Sequence, residues 1–418
     1  MINGSSDDMQ AGGAVEPYAD RLAELYADVR SVSSKCADVP DLWDAIIVGA
    51  GPAGALTAAK LAAGGAKVLL VDKADFPRQK VCGSCLSAGA LNSLQSAGLT
   101  DVIDELGAVD LHHLQIYAAH HKFKIPLGRS KALSRKTLDS LLVQYATRCG
   151  ATFLPDTAAA IFESFSELVT VGLKSRTSDR KVQAKIAIAA DGIGGTSLHG
   201  RRDLESRIAP RSKVGVGTTL DWELPLEPGV IHMAYGSGGY VGAVTLENGG
   251  TDIAAAMDPQ FIRESGAAEA AVIRILREAR LDVPTEITGV HWQGTVPLTR
   301  TRKKIASRRL FVIGDSASYV EPFTGEGIAW ALNCAEVITP IALEAIQKWR
   351  PSMPSRWVKA YASMVSKKQR GTKIIAALLR SNRLAAAAGE VLTRLPLLID
   401  PIAHALRDTG ITSLEDAW

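Results

Sequence analysis

The chain has 418 residues and a formal net charge of +3, so it offers no overall basic surface for nucleic acid. At roughly 150 residues per domain, its length predicts two or three domains of an ordinary globular enzyme. Its 5 cysteines are scattered and odd in number, and the polar N-terminus has no signal-peptide pattern, which favours a reducing, cytoplasmic setting over a disulfide framework.

The first elements predict a nucleotide-binding unit. Residues 1–40 read as an N-terminal extension with one amphipathic helix. A strand over 44–50, a glycine loop, an alanine-rich helix and a second strand ending at Asp72 follow. This order is a βαβ unit of about 30 residues. No run of about 18 uncharged apolar residues is found, so no transmembrane helix is predicted.

The loop "GAGPAG" has the GxGxxG spacing in Gly49, Gly51 and Gly54. The first glycine permits a tight turn, the second lets the backbone approach a pyrophosphate, and the third lets the helix pack on the strand. The helix N-terminus then faces the anion. Asp72 can accept hydrogen bonds from a ribose, and its charge favours a ribose without a 2′-phosphate.

Beyond this unit, two kinds of segment alternate. Short strands over 109–127 are followed by a helix over 134–150 and by a strand that leads to "AADG". Residues 206–304 are rich in strands and turns, with a hairpin around Asn248-Gly249-Gly250 and one helix. A buried strand returns near residue 310, and the chain beyond it reads mainly as helical.

The alternation predicts an α/β fold in which a Rossmann-like nucleotide-binding domain is interleaved with an antiparallel β-sheet substrate domain. A helical C-terminal region completes the chain. The predicted bounds are 1–40 for the extension, 41–108, 132–205 and 305–345 for the nucleotide-binding domain, 109–131 and 206–304 for the substrate domain, and 346–418 for the helical region.

Two later motifs specify the nucleotide. "AADG" covers Ala189–Gly192 and "GDSASYVEPFTGEGI" covers Gly314–Ile328. With "GAGPAG" before them, the chain resembles the FAD-dependent oxidoreductase superfamily that includes aromatic-ring hydroxylases (group A flavin monooxygenases) and geranylgeranyl-reductase-like proteins. The stretch "FPRQKVCG" further resembles the geranylgeranyl-reductase-like branch and the flavin halogenases. The resemblance covers most of residues 44–345 and implies bound FAD.

The resemblance also implies which residues hold FAD. Asp315 would bind ribityl hydroxyls, Arg135 the phosphates and Ala159 the adenine, while Gly195 stands where the family usually has a serine. The helix opened by "TGEGI" would direct its amides at the pyrimidine side of the flavin, where its dipole stabilises the anionic reduced ring. The predicted cofactor-binding residues are Gly49, Gly51, Pro52, Ala53, Gly54, Asp72, Lys73, Arg78, Cys82, Gly83, Arg135, Ala159, Asp191, Gly192, Gly314, Asp315, Gly325, Gly327 and Ile328.

The stretch "FPRQKVCGSC" follows the second strand and should run from the adenosine end toward the flavin ring. Pro77 disfavours a helix and begins an extended passage. Arg78 and Lys80 can neutralise phosphate charge.

Cys82-Gly83 matches the family's flavin-facing pair, in which a small side chain and bare backbone let the ring approach closely. Cys85 is predicted to enter the helix that follows. The alternative is a redox disulfide, which the CxxC spacing permits.

The motifs leave the reaction open. Halogenases and polyprenyl reductases carry an aromatic motif with tryptophan and a final proline, but "GGYVGAVT" has Gly242 and Thr245 at those places. The asparagine of the hydroxylase motif is replaced by Ala329. The leading prediction is a monooxygenase that hydroxylates an aromatic or other unsaturated hydrophobic compound. The alternative is a reductase of prenyl double bonds, followed by a flavin halogenase and by a flavoprotein that modifies a partner protein or holds FAD only structurally.

NAD(P)H is the expected electron donor, bound transiently because no second GxGxxG domain exists. The sequence shows no acid–base constellation, so the catalytic residues are unassigned. Cys82, Tyr240 and Trp292 are candidates near the substrate, and core packing is the alternative for the two aromatic residues.

Two further patterns have ordinary alternatives. Zinc would need four convergent ligands, and the histidines at 112, 113, 120 and 121 are read as solvated edge-strand residues, so no metal is predicted. The stretch 347–383 combines basic and apolar residues without an acid. It predicts either a peripheral contact with an anionic membrane or a helical cap with a solvated basic face.

Overall fold

The computed structural model describes residues 18–118, 121–164, 167–281, 287–320 and 326–364, a mixed α/β fold. The helices are α1 (Ala19–Ser31), α2 (Pro52–Ala63), α3 (Ala88–Ser96), α4 (Thr100–Glu105), α5 (Arg135–Arg148), α6 (Pro259–Ser265), α7 (Ala268–Glu278), α8 (Gly327–Gln347) and α9 (353–364). The strands are β1 (Leu42–Val48), β2 (Val68–Val71), β3 (Cys85–Leu86), β4 (Val109–Asp110), β5 (His113–Ala118), β6 (His121–Pro126), β7 (Lys131–Ala132), β8 (Thr152–Leu154), β9 (Ala158–Ile161), β10 (Val169–Lys174), β11 (Asp179–Ala189), β12 (Ser206–Ile208), β13 (Val214–Leu220), β14 (Val230–Gly236), β15 (Gly239–Thr245), β16 (Thr251–Met257), β17 (Gln293–Pro297), β18 (Arg300–Arg302), β19 (Ala306–Ser307), β20 (Leu310–Val312) and β21 (Ser318–Tyr319).

The larger sheet has the strand order β19-β20-β11-β1-β2-β8, with β10 and β9 added beside β11. Strands β8, β2, β1, β11 and β20 run parallel. The apolar runs of β1 and β2 are buried because α2, α5 and α8 cover the sheet. A parallel sheet covered by helices brings the carboxyl ends of its strands to one edge, and the glycine loop lies at that edge.

The second sheet has the strand order β17-β13-β16-β15-β14-β5-β6. Its pairs are antiparallel except β14 with β5. Helices α6 and α7 pack on one face of this sheet. The hairpin between β15 and β16 turns at Gly249, whose φ of +72° suits glycine.

Two small sheets lie against the larger ones. One has the order β3-β7-β4 and the other β12-β18-β21. Ala132 of β7 packs in a buried cluster with Val244 and Leu246, which belong to the hairpin of the seven-stranded sheet. The small sheet therefore joins the stretch after Cys82 to the second sheet.

Several predicted elements are present close to their expected bounds, including the βαβ unit, the hairpin and the N-terminal helix. The prediction for Cys85 is wrong, because this residue lies in β3 and pairs with Ala132, and α3 begins only at Ala88. The exact domain boundaries stay a prediction.

One helix in the described part of the chain, Gly327–Gln347, is long and apolar enough to cross a membrane. Of its most apolar window, 67% is buried inside the protein, and its residues belong to the main hydrophobic core. Packed helices in the interior of a globular protein have the same character.

Candidate functional site

At two glycines of the glycine loop, an added side chain would collide with backbone atoms. At Gly49 the φ is +105°, and an added Cβ would lie 2.3 Å from the carbonyl oxygen of Ala190. At Gly54 an added Cβ would lie 1.8 Å from the oxygen of Gly49. At Gly51, by contrast, the nearest atoms to an added Cβ are guanidinium nitrogens of Arg135 and Arg78, at 3.5 and 3.6 Å. Gly51 therefore leaves open the space between the loop and two cations.

Those two cations are held by one buried carboxylate. Arg135 donates to both oxygens of Asp139, at 2.9 and 2.8 Å, and Arg78 lies 3.0 Å from the second oxygen. Burial disfavours the charged form of Asp139, but attraction to Arg135 and Arg78 is stronger and keeps the pKa of Asp139 below its usual range. Lys80 is the third cation. Burial, together with repulsion from Arg135 and Arg78, lowers its pKa. This arrangement is suited to a pyrophosphate, which would relieve the crowding of positive charge.

The three sequence motifs converge on this place. Gly49 abuts Asp191, Gly314 packs against Ala53, and Lys80 reaches Gly192. Parallel strands produce this convergence, because β1, β11 and β20 end side by side.

The second and third motifs are joined by a hydroxyl. The Oγ of Ser316 lies 3.1 Å from the carboxylate of Asp191 and 3.0 Å from the carbonyl oxygen of Gly192. Asp191 also accepts a bond from the backbone of Ser197 at 2.8 Å. Asp315 is half-buried, and burial raises its pKa against the opposing charges of Lys80 and Arg135.

At the end of the site where the adenosine is predicted to bind, Asp72 is hydrogen-bonded to the surrounding backbone. Both carboxylate oxygens of Asp72 accept backbone N–H groups, from Ala50 at 2.8 Å and from Ala74 at 2.9 Å. Asp72 therefore fixes the glycine loop as well as standing where a ribose is expected. Ala159 lies in β9, near Thr157, whose N–H donates to the backbone of Asp72. Lys73 is exposed beside it.

Residues 76–85, which we call the cysteine loop, run from the cations to the second sheet. Burial raises the pKa of the Cys82 thiol, and Arg135 opposes that effect. Cys85 donates to the carbonyl of Gly83 at 2.9 Å, and burial raises its pKa too. Both thiols are free, and both favour the protonated form, which is unreactive in disulfide exchange. Ser84 between them has a φ of +51°, an uncommon value for serine.

One face of the seven-stranded sheet lies under this loop. Val81 packs on Gly217 of β13, and residues directly opposite on paired strands share that face. On β13 and β16 the face has mostly small residues, whereas on β14 and β5 it is apolar. Its members are Gly215, Gly217, Thr219, Asp252, Ala254, Ala256, Tyr240, Gly242, Val244, Ile231, Met233, Tyr235, Leu114 and Ile116. We call this set the apolar face.

The two aromatic candidates, Tyr240 and Trp292, lie on opposite faces of the seven-stranded sheet. Tyr240 lies on the apolar face with its ring 5.7 Å from that of Tyr235. Trp292 packs instead with the cluster beneath α7, on the opposite face of the sheet. Tyr240 therefore stays a candidate for the substrate side, whereas Trp292 fits the core-packing alternative.

The helix expected to face the flavin begins as the motif predicts. Glu326 is its N-cap residue, and Gly327 and Ile328 form its first turn. Gly325 lies outside the described residues. Among the histidines, His120 also lies outside them, while His113 and His121 are on separate strands and pair with Pro126 and Ala118. Within the described ranges, no group of three or more metal-ligating residues is present.

A carboxyl group on the apolar face was missed by sequence reasoning. Asp252 of β16 is 6% exposed and accepts a bond from Thr219 at 3.1 Å, while its second oxygen has no partner in hydrogen-bond geometry among the described residues, although the Ser84 hydroxyl lies close to the carboxyl. Burial raises its pKa to about 7, although the hydroxyls of Ser84 and Thr219 oppose this. The sequence signal that could have revealed Asp252 is an acidic residue in the otherwise apolar strand "TDIAAAM".

Asp139 was missed as well, although its spacing from Arg135 is the i,i+4 spacing of a helical ion pair. Glu247 was a third omission. It accepts bonds from the backbone and hydroxyl of Ser134, at 2.9 and 2.6 Å, and fastens the β15–β16 hairpin to the start of α5.

The residues present fit FAD. The space at Gly51 faces two guanidinium groups, a helix N-terminus adjoins it, and Asp315 stands nearby among cations. Fold and site together define a dinucleotide-binding flavoprotein.

Comparison with known proteins narrows this class. The family model of the FAD binding domain matches residues 43–337, so the chain belongs to this family and is an FAD-dependent oxidoreductase. It is 27% identical to digeranylgeranylglycerophospholipid reductase 2 of Methanopyrus kandleri, over 85% of this chain and 92% of that protein. It is 26% identical to the menaquinone reductase of Mycolicibacterium smegmatis, over 90% of this chain and 93% of that protein.

The fold is also found among solved structures. The flavin-dependent brominase Bmp2 matches with a TM-score of 0.71 and 16% identity, over 88% of this chain and 93% of that chain. At this identity the match shows a shared fold and leaves the reaction open.

Proposed function

We propose that this protein is an FAD-dependent reductase of isoprenoid double bonds in a lipid or lipid-like quinone. The observation that carries the proposal is the apolar face, which adjoins the cysteine loop and the cation cluster and contains one carboxyl group, Asp252. A long apolar substrate can be bound by such a surface without burying an unpaired charge. The names of the two reductases that match most of the chain support the same reaction.

Each region has a distinct task in this proposal. Arg78, Lys80 and Arg135 hold the pyrophosphate, and Asp315 holds the ribityl chain. When bound, FAD supplies hydride to the double bond. Met233 and Tyr240 orient the isoprenoid chain and exclude water from it. NAD(P)H is proposed as the source of electrons.

The test separates reduction from hydroxylation. Purified protein loaded with FAD is reduced without oxygen, by NADPH, NADH or dithionite, and mixed with a geranylgeranyl phospholipid or menaquinone in detergent. Mass spectrometry of the lipid should show a gain of two hydrogens per reduced bond, with no need for oxygen. Asp315→Ala, which should not retain FAD, is the control for flavin dependence.

Two results would decide against the reductase. Turnover that requires oxygen and adds one oxygen atom to an aromatic compound would establish the monooxygenase predicted from the sequence. Chloride- or bromide-dependent halogenation would establish the third alternative. We also propose that the basic stretch 347–383, of which the structure describes the part up to residue 364, brings the enzyme to an anionic membrane, where it would meet a lipid substrate.

A further inference from the structure

Asp252 is unusual among the acids of this protein because of where it lies. It shares a row of the seven-stranded sheet with Thr219 and Val244, so its side chain is on the apolar face. Two rows away on the same face is Tyr240, opposite Ala256. The carboxyl is thus set among the groups that we propose to contact the isoprenoid chain, on the side covered by the cysteine loop.

The hydrogen bonds that Asp252 accepts do not fully offset the free-energy cost of burying its carboxyl group. Thr219 donates to one oxygen, whereas the other is shielded from solvent and has no partner in hydrogen-bond geometry within the described part of the chain, although the Ser84 hydroxyl lies close to the carboxyl. A structural carboxylate in a protein interior normally has both oxygens satisfied, as those of Asp139 and Glu247 are. An unpartnered oxygen costs free energy unless it is protonated or meets a ligand.

The groups around Asp252 favour the protonated acid. Ser84 faces it from the cysteine loop and Thr219 from β13, and their hydroxyls stabilise the carboxylate only partly. Glu247 adds negative charge, and Arg135 is the one cation among the named influences. The Cys82 and Cys85 thiols are also nearby and hold their protons. With a pKa of about 7, Asp252 carries a transferable proton at neutral pH.

We propose that Asp252 is the catalytic acid that protonates the isoprenoid double bond. This inference rests on the proposed function. Reduction of an alkene requires a hydride at one carbon and a proton at the other. The π bond breaks, two C–H bonds form, the alkene gains two electrons from the reduced flavin, and Asp252 is left as a carboxylate. The carboxylate recovers its proton from solvent, and NAD(P)H restores the electrons.

The first arm of the test needs no substrate. Infrared spectra of FAD-loaded protein labelled with ¹³C at the aspartate carboxyls should contain a protonated carboxylic-acid band that titrates with a midpoint near pH 7. Asp252→Asn should remove that band. Asp221→Asn changes an exposed acid directly after β13 and should leave it intact. Absence of such a band, or its persistence in Asp252→Asn, overturns the proposal.

The second arm measures the proton step. Reduced protein is mixed with a geranylgeranyl phospholipid in one turnover, and flavin reoxidation is followed without oxygen. Asp252→Asn should slow reoxidation on the order of 10²-fold or more, the usual contribution of a general acid. The wild-type rate should fall as pH rises through about 7 and should show a solvent deuterium effect that the variant lacks. Asparagine keeps an acceptor for Thr219, so FAD content and thermal stability check that the variant is folded.

The outcomes separate the two proposals. A wild-type enzyme that reduces the lipid, with Asp252→Asn within about twofold of its rate, overturns only the acid role, since general acids contribute far more. A wild-type enzyme that reduces no isoprenoid lipid overturns the proposed function and the acid role together. Loss of rate with unchanged lipid affinity, an altered pH profile and the missing infrared band support Asp252 as the acid.

Discussion

The cation cluster and the apolar face lie next to each other and are built on opposite principles. Around the glycine loop, Arg78 and Arg135 form ion pairs with Asp139, and the crowded positive charges favour the binding of an anion. On the sheet, small and apolar residues surround one acid, Asp252, whose pKa burial raises to about 7. In the function proposed above, the first region binds the diphosphate of FAD, whereas the second decides which molecule is reduced. Similarity to reductases and to halogenases is therefore compatible with one shared cofactor site.

The two regions are mechanically joined. Glu247, at the end of the β15–β16 hairpin, accepts hydrogen bonds from Ser134, the N-cap residue of α5. Arg135 is the next residue, so the hairpin of the sheet fixes the start of the helix that carries the proposed phosphate ligand. Variants that act on one region and spare the other can test this division.

The largest effect is expected at Gly54. Gly54→Ala would place a methyl group 1.8 Å from the carbonyl oxygen of Gly49, so the loop and α2 cannot keep their packing, at a cost of about 3 kcal/mol or more. We expect insoluble or unfolded protein. Gly51→Ala is the matched control, because its φ is −78° and its new methyl group meets only side-chain nitrogens beyond 3.4 Å. That variant should fold but bind FAD roughly tenfold more weakly. Equal stability of the two variants in thermal unfolding would contradict this account of the loop.

Removal of Asp315 should affect the cofactor and spare the fold. Asp315→Ala should weaken FAD binding about 100-fold, because the ribityl hydroxyls lose an ionic acceptor. Asp221→Ala, an exposed acid on the substrate sheet, should leave affinity unchanged. Fluorescence titration of the apoprotein with FAD measures both. Full occupancy and unaltered affinity in Asp315→Ala would remove this residue from the cofactor site.

The apolar face can be tested through stability against pH. An unfolded aspartate has a pKa of about 3.9, whereas folded Asp252 has one of about 7. The folded protein binds this proton more tightly, so the stabilising effect is complete below about pH 4 and is lost as pH rises through about 7. Asp252→Asn should therefore be more stable than wild type at about pH 8, on the order of 4 kcal/mol, and should lose that advantage toward pH 4. Denaturant unfolding at both pH values measures this, and a pH-independent difference would mean that Asp252 is already ionised in the folded protein.

The smallest effects are expected at the cysteines, which lie between the two regions. Cys82→Ser, beside Arg135, should shift the flavin absorbance and change turnover by a few-fold. Cys85→Ser replaces a thiol that donates to Gly83 and should be mild, since serine keeps a donor. Absorbance spectra and thiol titration check both. Equal losses in the two variants, with two thiols consumed by oxidant in the wild type, would show that the pair works as a redox disulfide.

The order of motifs by itself determined the cofactor. The spacing of Gly49, Gly51 and Gly54 is that of a strand–turn–helix and can be recognised in the sequence. Gly54 packs on Gly49 within the loop, whereas the contact of Gly49 with Ala190 became visible only in the fold. Arg135 and Asp139 lie one helical turn apart, so their pairing was also within reach of sequence reasoning. The membership of the chain in the FAD binding domain family agrees with this part of the prediction.

Tertiary structure decided the rest, because a strand pattern does not specify which strands pair or in what register. Strand register set Asp252 beside Thr219 and placed Tyr240 on the same face of the sheet. Trp292, which directly precedes β17, packs with the cluster on the opposite face. Pairing of β3 with β7 drew Cys85 into a strand, where its neighbours in the chain suggested a helix. A pKa raised by burial depends on what distant segments cover the side chain, so the acid on the apolar face became visible only in the folded molecule.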